Sequence, residues 1–198
     1  MRLNVRQSKL ARQRQISARG APSACAIDTA KLTRLYRQHL AECADDYLRM
    51  HSGNAAVIAR HVAAARLYKP YIGMRILDWG CKHGVDAFFV RAMLGDGVIL
   101  DGCDFDPPER YASFYRAACM DYMQLRHPWD LPYADGVFDT VIASGVIEHV
   151  PQTAESLKEL WRVLQTDGHL VVTFLPNRRS YTEWLSRRTG GLRHLKLF

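Results

Sequence analysis

Apolar positions along the chain change their period several times, and each change marks an element. From Asp28 to about Lys69 they recur at three-to-four spacing: Leu32, Leu35, Tyr36 and His39–Leu40, then Val57, Ile58, His61–Val62 and Ala65. Ser52-Gly53-Asn54 interrupts the run and predicts two helices. Ile76, Leu77 and Trp79, bounded by Gly73 and Gly80, form a short apolar run that fits a strand buried on both faces. Ala87 to Leu94 reads as an apolar helix ending at Gly95-Asp96-Gly97. VILDGCDF, 98–105, reads as a second strand. Pro108 to Tyr122 predicts a helix with Tyr111, Phe114–Tyr115 and Ala118 on one face, and Tyr122 to Arg126 a short third strand. Thr140–Ala143 is the fourth strand. Pro151 opens a helix whose Leu157, Leu160, Trp161 and Leu164 are expected to face the sheet, with Gly168 as its cap. HLVVTFLPN, 169–177, is the fifth strand. Five strands alternating with helices predict a mostly parallel sheet and an α/β fold.

Composition narrows the class. At 198 residues the chain has one domain's worth of core. No segment has the ~18 unbroken apolar residues of a membrane span, and the first residues lack the apolar centre of a secretory signal. The five cysteines (25, 43, 81, 103 and 119) contain no C-x-x-C pair, so reduced thiols in a cytoplasmic protein are expected, with no zinc site and no metal. The net charge of +7 sits at the two ends. Residues 1–20 hold six Arg/Lys and no acid, and residues 178–198 hold six against Glu183. The first run reads as a solvated, disordered arm, with contact to RNA or an anionic membrane surface as the sharper alternative. No aromatic residue is interleaved there for base stacking, which weakens the case for a nucleic-acid partner. The domain plan is a basic arm 1–27, a helical cap 28–71, an α/β core 72–177 and a basic segment 178–198.

Candidate chemistry gathers on the turn after the first strand, in RILDWGCKHGVDAFFV, 75–90. Asp78 lies inside the apolar strand, and a buried carboxylate needs partners. Gly80 and Gly84 bracket a loop where backbone can approach a ligand closely. The helix that follows offers free N–H groups and a positive dipole end. The dinucleotide fingerprint G-x-G-x-x-G is absent, which argues against nicotinamide. Asp104 ends the second strand 20 positions beyond Gly84, a place suited to accepting hydrogen bonds from both hydroxyls of a ribose. Asp101 is expected to face away, and Asp106 to cap the turn before the prolines. Tyr36, His39 and His61 read as packing or surface residues.

Three of these stretches together resemble the class I S-adenosylmethionine-dependent methyltransferases, and within them the type 11 small-molecule subgroup. They are ILDWGCKHG, GCDFDP, and the set Leu131-Pro132-Tyr133, Phe138-Asp139 and Glu148-His149 within 127–150. The resemblance covers about 72–177. It implies a Rossmann-like sheet of order 3-2-1-4-5 and S-adenosyl-L-methionine as cofactor. It implies that Gly80, Cys81 and Gly84 accommodate the cofactor, that Asp78 orients the loop or meets the methionine ammonium, and that Asp104 holds the ribose beside Phe105. Gly145 would approach the methionine part, with Ser144 next to it, and Asp130, Leu131 or backbone groups would serve the adenine. The family's middle glycine is replaced by Lys82, which leaves three outcomes open: the side chain points to solvent, pairs with the cofactor carboxylate, or blocks the pocket. Glu148 and His149 are candidate bases for the methyl acceptor, a structural role for His149 being the alternative.

The implied function is methyl transfer to oxygen, nitrogen or carbon of a small molecule, sugars and lipid-linked intermediates among them. A degenerate binding or scaffold protein and an RNA-associated protein are the alternatives. Residues 178–198 hold no segment resembling the family's final β-hairpin. The expectation is a C-terminally truncated domain, or an apolar fifth-strand edge covered by the C-terminal segment, a partner or a second copy.

Overall fold

The computed structural model describes residues 29–41, 48–49 and 52–175. The expectations for residues 1–27 and 178–198 lie outside the described residues. Among the described residues, helices α1 (Thr29–Ala41) and α2 (Ala55–Tyr68) precede the sheet. Asn54 starts α2 by accepting a hydrogen bond on its side-chain oxygen from the Ala56 amide at 2.8 Å, so the break expected at 52–54 ends in a helix cap. There follow β1 (Arg75–Trp79), α3 (Val85–Leu94), β2 (Ile99–Asp104), α4 (Ala112–Ala117), β3 (Met120–Gln124), β4 (Phe138–Ser144), α5 (Thr153–Val163) and β5 (Leu164–Thr173).

All five strands are parallel, in the order β3-β2-β1-β4-β5. Alternation along β1 divides the core. Ile76 points into one apolar cluster with Tyr36, Ile58, Val62, Phe89, Phe114 and Ile142. Leu77 and Trp79 point into the other with Leu131, Phe138, Val141, Leu160 and Val163. Helices α1 to α4 thus cover one face of the sheet and α5 the other. The order of strands reverses between β1 and β4, and the carboxyl ends of those two strands open a crevice.

Three elements differ from the sequence pattern. The helix expected over 108–122 stops at Ala117, after a short 3₁₀ turn at Pro108–Tyr111. Cys119 takes a left-handed φ of 46° there, and β3 begins at Met120. Arg91 holds this turn, donating to the carbonyls of Ala118 and Cys119 at 2.8 and 3.0 Å. Helix α5 ends at Val163, not at Gly168, because the Gly136 and Val137 amides take its last carbonyls (Arg162 and Val163) at 2.9 and 2.8 Å. Leu164 already pairs with Phe138, and residues 165–168 form a bulge before His169 pairs with Thr140. Gly168 serves that bulge: a Cβ there would lie 2.9 Å from Leu164 and 3.0 Å from the Gln165 carbonyl. On α5 itself Leu160 is buried, whereas Leu157 and Trp161 are 39% and 75% exposed, so the expected four-residue stripe covers only half its length.

Candidate functional site

The loop after β1 is built by backbone hydrogen bonds. The Gly80 and Cys81 amides both donate to the Cys103 carbonyl at the end of β2, at 2.8 and 3.2 Å. Gly80 has φ 71°, and a Cβ there would come within 2.6 Å of both γ-carbons of Val146. A side chain would therefore push apart the loops that follow β1 and β4. Lys82 occupies the left-handed region at φ 48°, which explains why glycine suits this place. Its carbonyl accepts from the Tyr115 hydroxyl at 2.7 Å. Its amide donates to Asp104 Oδ2 at 2.7 Å, while the Phe105 amide donates to Oδ1 at 2.6 Å. The Asp104 carboxylate is thereby fixed at the tip of β2, half-buried, with lone pairs remaining on each oxygen for further donors.

Two neighbouring cavities share Gly80, Lys82, Gly145 and His149. The smaller, about 250 Å³, runs past Asp104 and Phe105 between Trp79, Leu125, Pro128 and Val146. The larger, about 490 Å³, lies over the carboxyl ends of β1 and β4 and under α2. Its floor holds two buried carboxylates, Asp78 and Asp86. The Ala87 amide at the start of α3 donates to Asp78 at 3.3 Å, and the Tyr68 hydroxyl donates to Asp86 at 3.0 Å. Burial, then the neighbouring Asp86, push the Asp78 carboxyl well above its ordinary range. Two carboxylates in one pocket floor favour a cationic group above them.

Of the residues expected at the site, Asp78, Gly80, Cys81, Ser144, Gly145, Glu148 and His149 line the larger cavity. Asp104 and Phe105 line the smaller. Gly84 lines neither; it starts α3 at φ 68°, packed against Met120. Asp130 is exposed and Leu131 is buried in the second core, and both lie outside the two cavities. The Leu131 amide donates to Glu159 on α5 at 3.1 Å. Ser144 shares a hydrogen bond with Thr173 at 2.7 Å. His149 is 72% exposed, with Nε2 3.9 Å from Glu148 Oε1. Asp101, expected to face away from the site, lies 3.5 Å from the Arg75 guanidinium. Tyr36 and His39 pack as expected, the former against Phe88 and Phe89 and bonded to His83 at 2.9 Å.

Arg60, His61, Asp86 and Phe174 also line the larger cavity, and sequence reasoning gave none of them a role at the site. The Arg60 guanidinium stands 4.7 Å from the centre of the Phe174 ring, and the His61 ring meets that ring edge-on at 5.0 Å. Phe174 itself has φ 60°, a strained conformation just past the end of β5. The helical period placed His61 on the inward side of α2, but only the docking of α2 over the crevice puts it at the cavity.

Residues 77–172 match a family model described as a methyltransferase domain. A demethylmenaquinone methyltransferase of Streptomyces griseus is 30% identical over 151 residues, which cover 68% of this chain and 59% of that protein. An uncharacterised methyltransferase of a Mycobacterium species (strain JLS) is 31% identical over 169 residues, 84% of this chain and 62% of its own. The chain thus spans about three fifths of the length of these two curated relatives. A Pyrococcus horikoshii protein superposes with a TM-score of 0.56 at 20% identity, over 76% of this chain and 69% of that one. A Thermotoga maritima S-adenosylmethionine-dependent methyltransferase gives 0.54 at 18%, over 79% and 67%. These two likenesses show the fold.

The sheet order, the glycine loop on β1 and the matched segment define an α/β domain of the Rossmann-like methyltransferase type. The matched segment and these relatives support a class I S-adenosylmethionine-dependent methyltransferase domain over residues 77–172, a family whose cofactor is S-adenosylmethionine. The residues present fit that cofactor. An anchored carboxylate stands beside an apolar slot, and two buried carboxyl groups lie on the floor of the adjoining cavity, which suits a ligand with ribose hydroxyls, a flat base and an ammonium. Among the described residues no helix is long and apolar enough to cross a membrane, and no cluster of metal-ligating side chains is present.

Proposed function

We propose that the protein transfers the methyl group of S-adenosylmethionine to a small-molecule acceptor bound in the larger cavity. The observation that carries this reading is the Asp104 carboxylate. Two backbone amides fix it at the tip of β2, beside a slot of about 250 Å³ lined by Phe105, Leu125 and Pro128. In this reading Asp104 accepts from the ribose hydroxyls and the slot holds the adenine. Asp78 and Asp86 face the methionine ammonium, and Gly80 and Gly145 let the cofactor lie against the backbone. When bound, the cofactor supplies an electrophilic methyl on a sulfonium sulfur. The chain's own part is to hold an acceptor in line with it and to keep water out, which supplies much of the rate. Helix α2 roofs the cavity in which the acceptor would sit. At about 490 Å³, that cavity has the size of a small-molecule site. The described cysteines are free thiols, Cys81 and Cys103 buried and Cys119 exposed, which supports a cytoplasmic setting.

Lys82 favours a degenerate binding protein as the second reading, because it replaces a glycine of the family's loop. Against that reading, its main chain keeps the left-handed turn and its amide still anchors Asp104. The deciding experiment is calorimetric titration of the chain with S-adenosylhomocysteine, with Asp104→Ala alongside. Micromolar binding, about 8 kcal/mol at 1 μM, that is lost in the variant is the expected result. A folded chain that binds none would sink the proposal and favour the degenerate reading.

A further inference from the structure

Three histidines line the larger cavity, and two of them, His61 and His149, stand in different settings. His149 stands at the mouth, largely in solvent, close to Glu148. His61 comes from the roof, on α2, with its ring against Phe174. Its Nδ1 is buried and has no hydrogen-bond partner among the described residues. That nitrogen is closed off from solvent, so a ligand in the cavity would meet the ring through its other nitrogen, Nε2. Phe174 connects this side of the cavity to the cofactor side, since its Cβ lies 3.8 Å from where a Gly145 Cβ would be.

We infer that His61 is the proton acceptor for the methyl-accepting group, and that this group is an acidic hydroxyl, a phenol or enol, seated between His61, Arg60 and Phe174. The chemistry of the wall selects that class. Phe174 and Val85 offer an apolar surface for a flat conjugated ring. The Arg60 guanidinium, which lines the same cavity and stands 4.7 Å from the Phe174 ring centre, would favour the oxyanion that forms as the hydroxyl loses its proton. In the step the acceptor's O–H bond breaks and the proton passes to the ring nitrogen of His61 that carries the lone pair. The oxygen's electron pair forms the O–CH₃ bond. The pair of the broken S–CH₃ bond stays on sulfur. The products are a methyl ether, the neutral thioether and an imidazolium.

The charge around His61 suits a base. Burial lowers its pKa, the Asp86 carboxylate on α3 opposes this, and Arg60 on its own helix adds to the lowering. Asp78 on β1, Lys82 and His83 of the loop after it, and Glu148 and His149 after β4 face the same cavity. With the net direction downward, the ring is neutral at neutral pH and ready to take a proton. His149 lacks such a setting, because in open water a bound hydroxyl gains little from it.

The inference rests on the methyltransferase reading, and its test separates the two. The probe is 4-nitrophenol, whose ionised form is yellow, added to the complex with S-adenosylhomocysteine at about pH 6, where an ordinary histidine is mostly cationic. The expected result is a phenolate absorbance on binding that disappears in His61→Gln, while S-adenosylhomocysteine affinity stays within about threefold. In the same complex, NMR of ¹³C-labelled histidine should find the His61 ring neutral before the probe is added and protonated after. The ring signal is read on the unmutated chain, so it does not depend on how the variant folds. A phenolate signal that survives His61→Gln, one that vanishes in His149→Gln instead, or a probe that does not bind would overturn the inference. Failure of S-adenosylhomocysteine itself to bind would strike the methyltransferase reading instead.

Discussion

Asp78, near the end of β1, and Lys82, on the loop that follows it, sit four residues apart and work against stability in different ways. Asp78 is buried next to Asp86, and its carboxyl titrates well above its ordinary value. A carboxylate raised in the folded state adds stability below its unfolded pKa of ~3.9, and that stability is lost as pH rises through the folded value. Asp78→Asn keeps an acceptor for the Ala87 amide and removes the charge. It should therefore melt higher than the parent at pH 7 and above, by a margin that shrinks on acidification, in thermal scans across pH. It should also bind S-adenosylhomocysteine about tenfold or more weakly, or ~1.4 kcal/mol, because the ammonium loses its counter-charge. Equal affinity would remove Asp78 from the site. Lys82 carries a cost of ~1–2 kcal/mol for its left-handed backbone, part of which Lys82→Gly relieves against the larger entropy of glycine when unfolded. That variant is expected to melt higher, with S-adenosylhomocysteine affinity changed by less than about threefold, since the amide that holds Asp104 remains. A large gain in affinity would mean that the side chain obstructs the pocket.

The segment before β4 and the helix after it are tied by one ionic network. Arg162 on α5 donates to Glu159 at 2.6 and 2.8 Å, to Asp135 at 2.7 Å, and to the carbonyls of Tyr133 and Leu131 at 2.8 and 3.1 Å. Through these contacts α5 holds the stretch 131–135, and so the chain leading into β4. The hydrogen bonds from Arg162 draw the Glu159 carboxyl below its ordinary pKa. A lowered carboxyl contributes stability above its unfolded pKa of ~4.3 and loses it as pH falls through the lower folded value. Glu159→Gln should flatten that acid limb and cost about 1 kcal/mol at pH 7, a figure kept small for a partly exposed pair. Denaturant titrations at pH 7 and at about pH 3 would check it; an unchanged acid limb would show that the network contributes nothing measurable. At the other end of the chain, Asn54→Ala removes the α2 cap and should cost about 1 kcal/mol. Because α2 roofs the larger cavity, hydrogen exchange should show its first turn opening more readily.

At the scale of the whole molecule, the sheet and its two helical layers exist to hold three loops at one end. The loops after β1, β2 and β4 meet at the point where strand order reverses, and α2 closes over them from the amino-terminal side. Ligand binding at this junction joins both core clusters, since Asp104 and Phe105 lie on one side and Asp78 and His61 on the other. S-adenosylhomocysteine at about 100 times its dissociation constant should stabilise the fold by ~2.7 kcal/mol. The resulting rise in melting temperature should be absent in Asp104→Ala. A rise that persists in the variant would place the ligand elsewhere.

The pattern of residues determined much of this by itself. Short apolar runs alternating with helical periods specify a parallel sheet, and Gly80, Asp104 and Gly145 stand where strands end, so their places in the fold were legible in local spacing. Strand order followed from family resemblance and is the observed 3-2-1-4-5. Element ends were not legible where partners distant in sequence take the last hydrogen bonds: α5 stops at Val163 because Gly136 and Val137 capture its carbonyls. The exposure of Trp161, against its helical period, was decided by how α5 lies on the sheet. The meeting of His61, Arg60 and Phe174 belongs to tertiary structure alone. More than a hundred residues separate α2 from the end of β5, and no spacing rule relates them; only packing both onto the same sheet brings their side chains to one cavity.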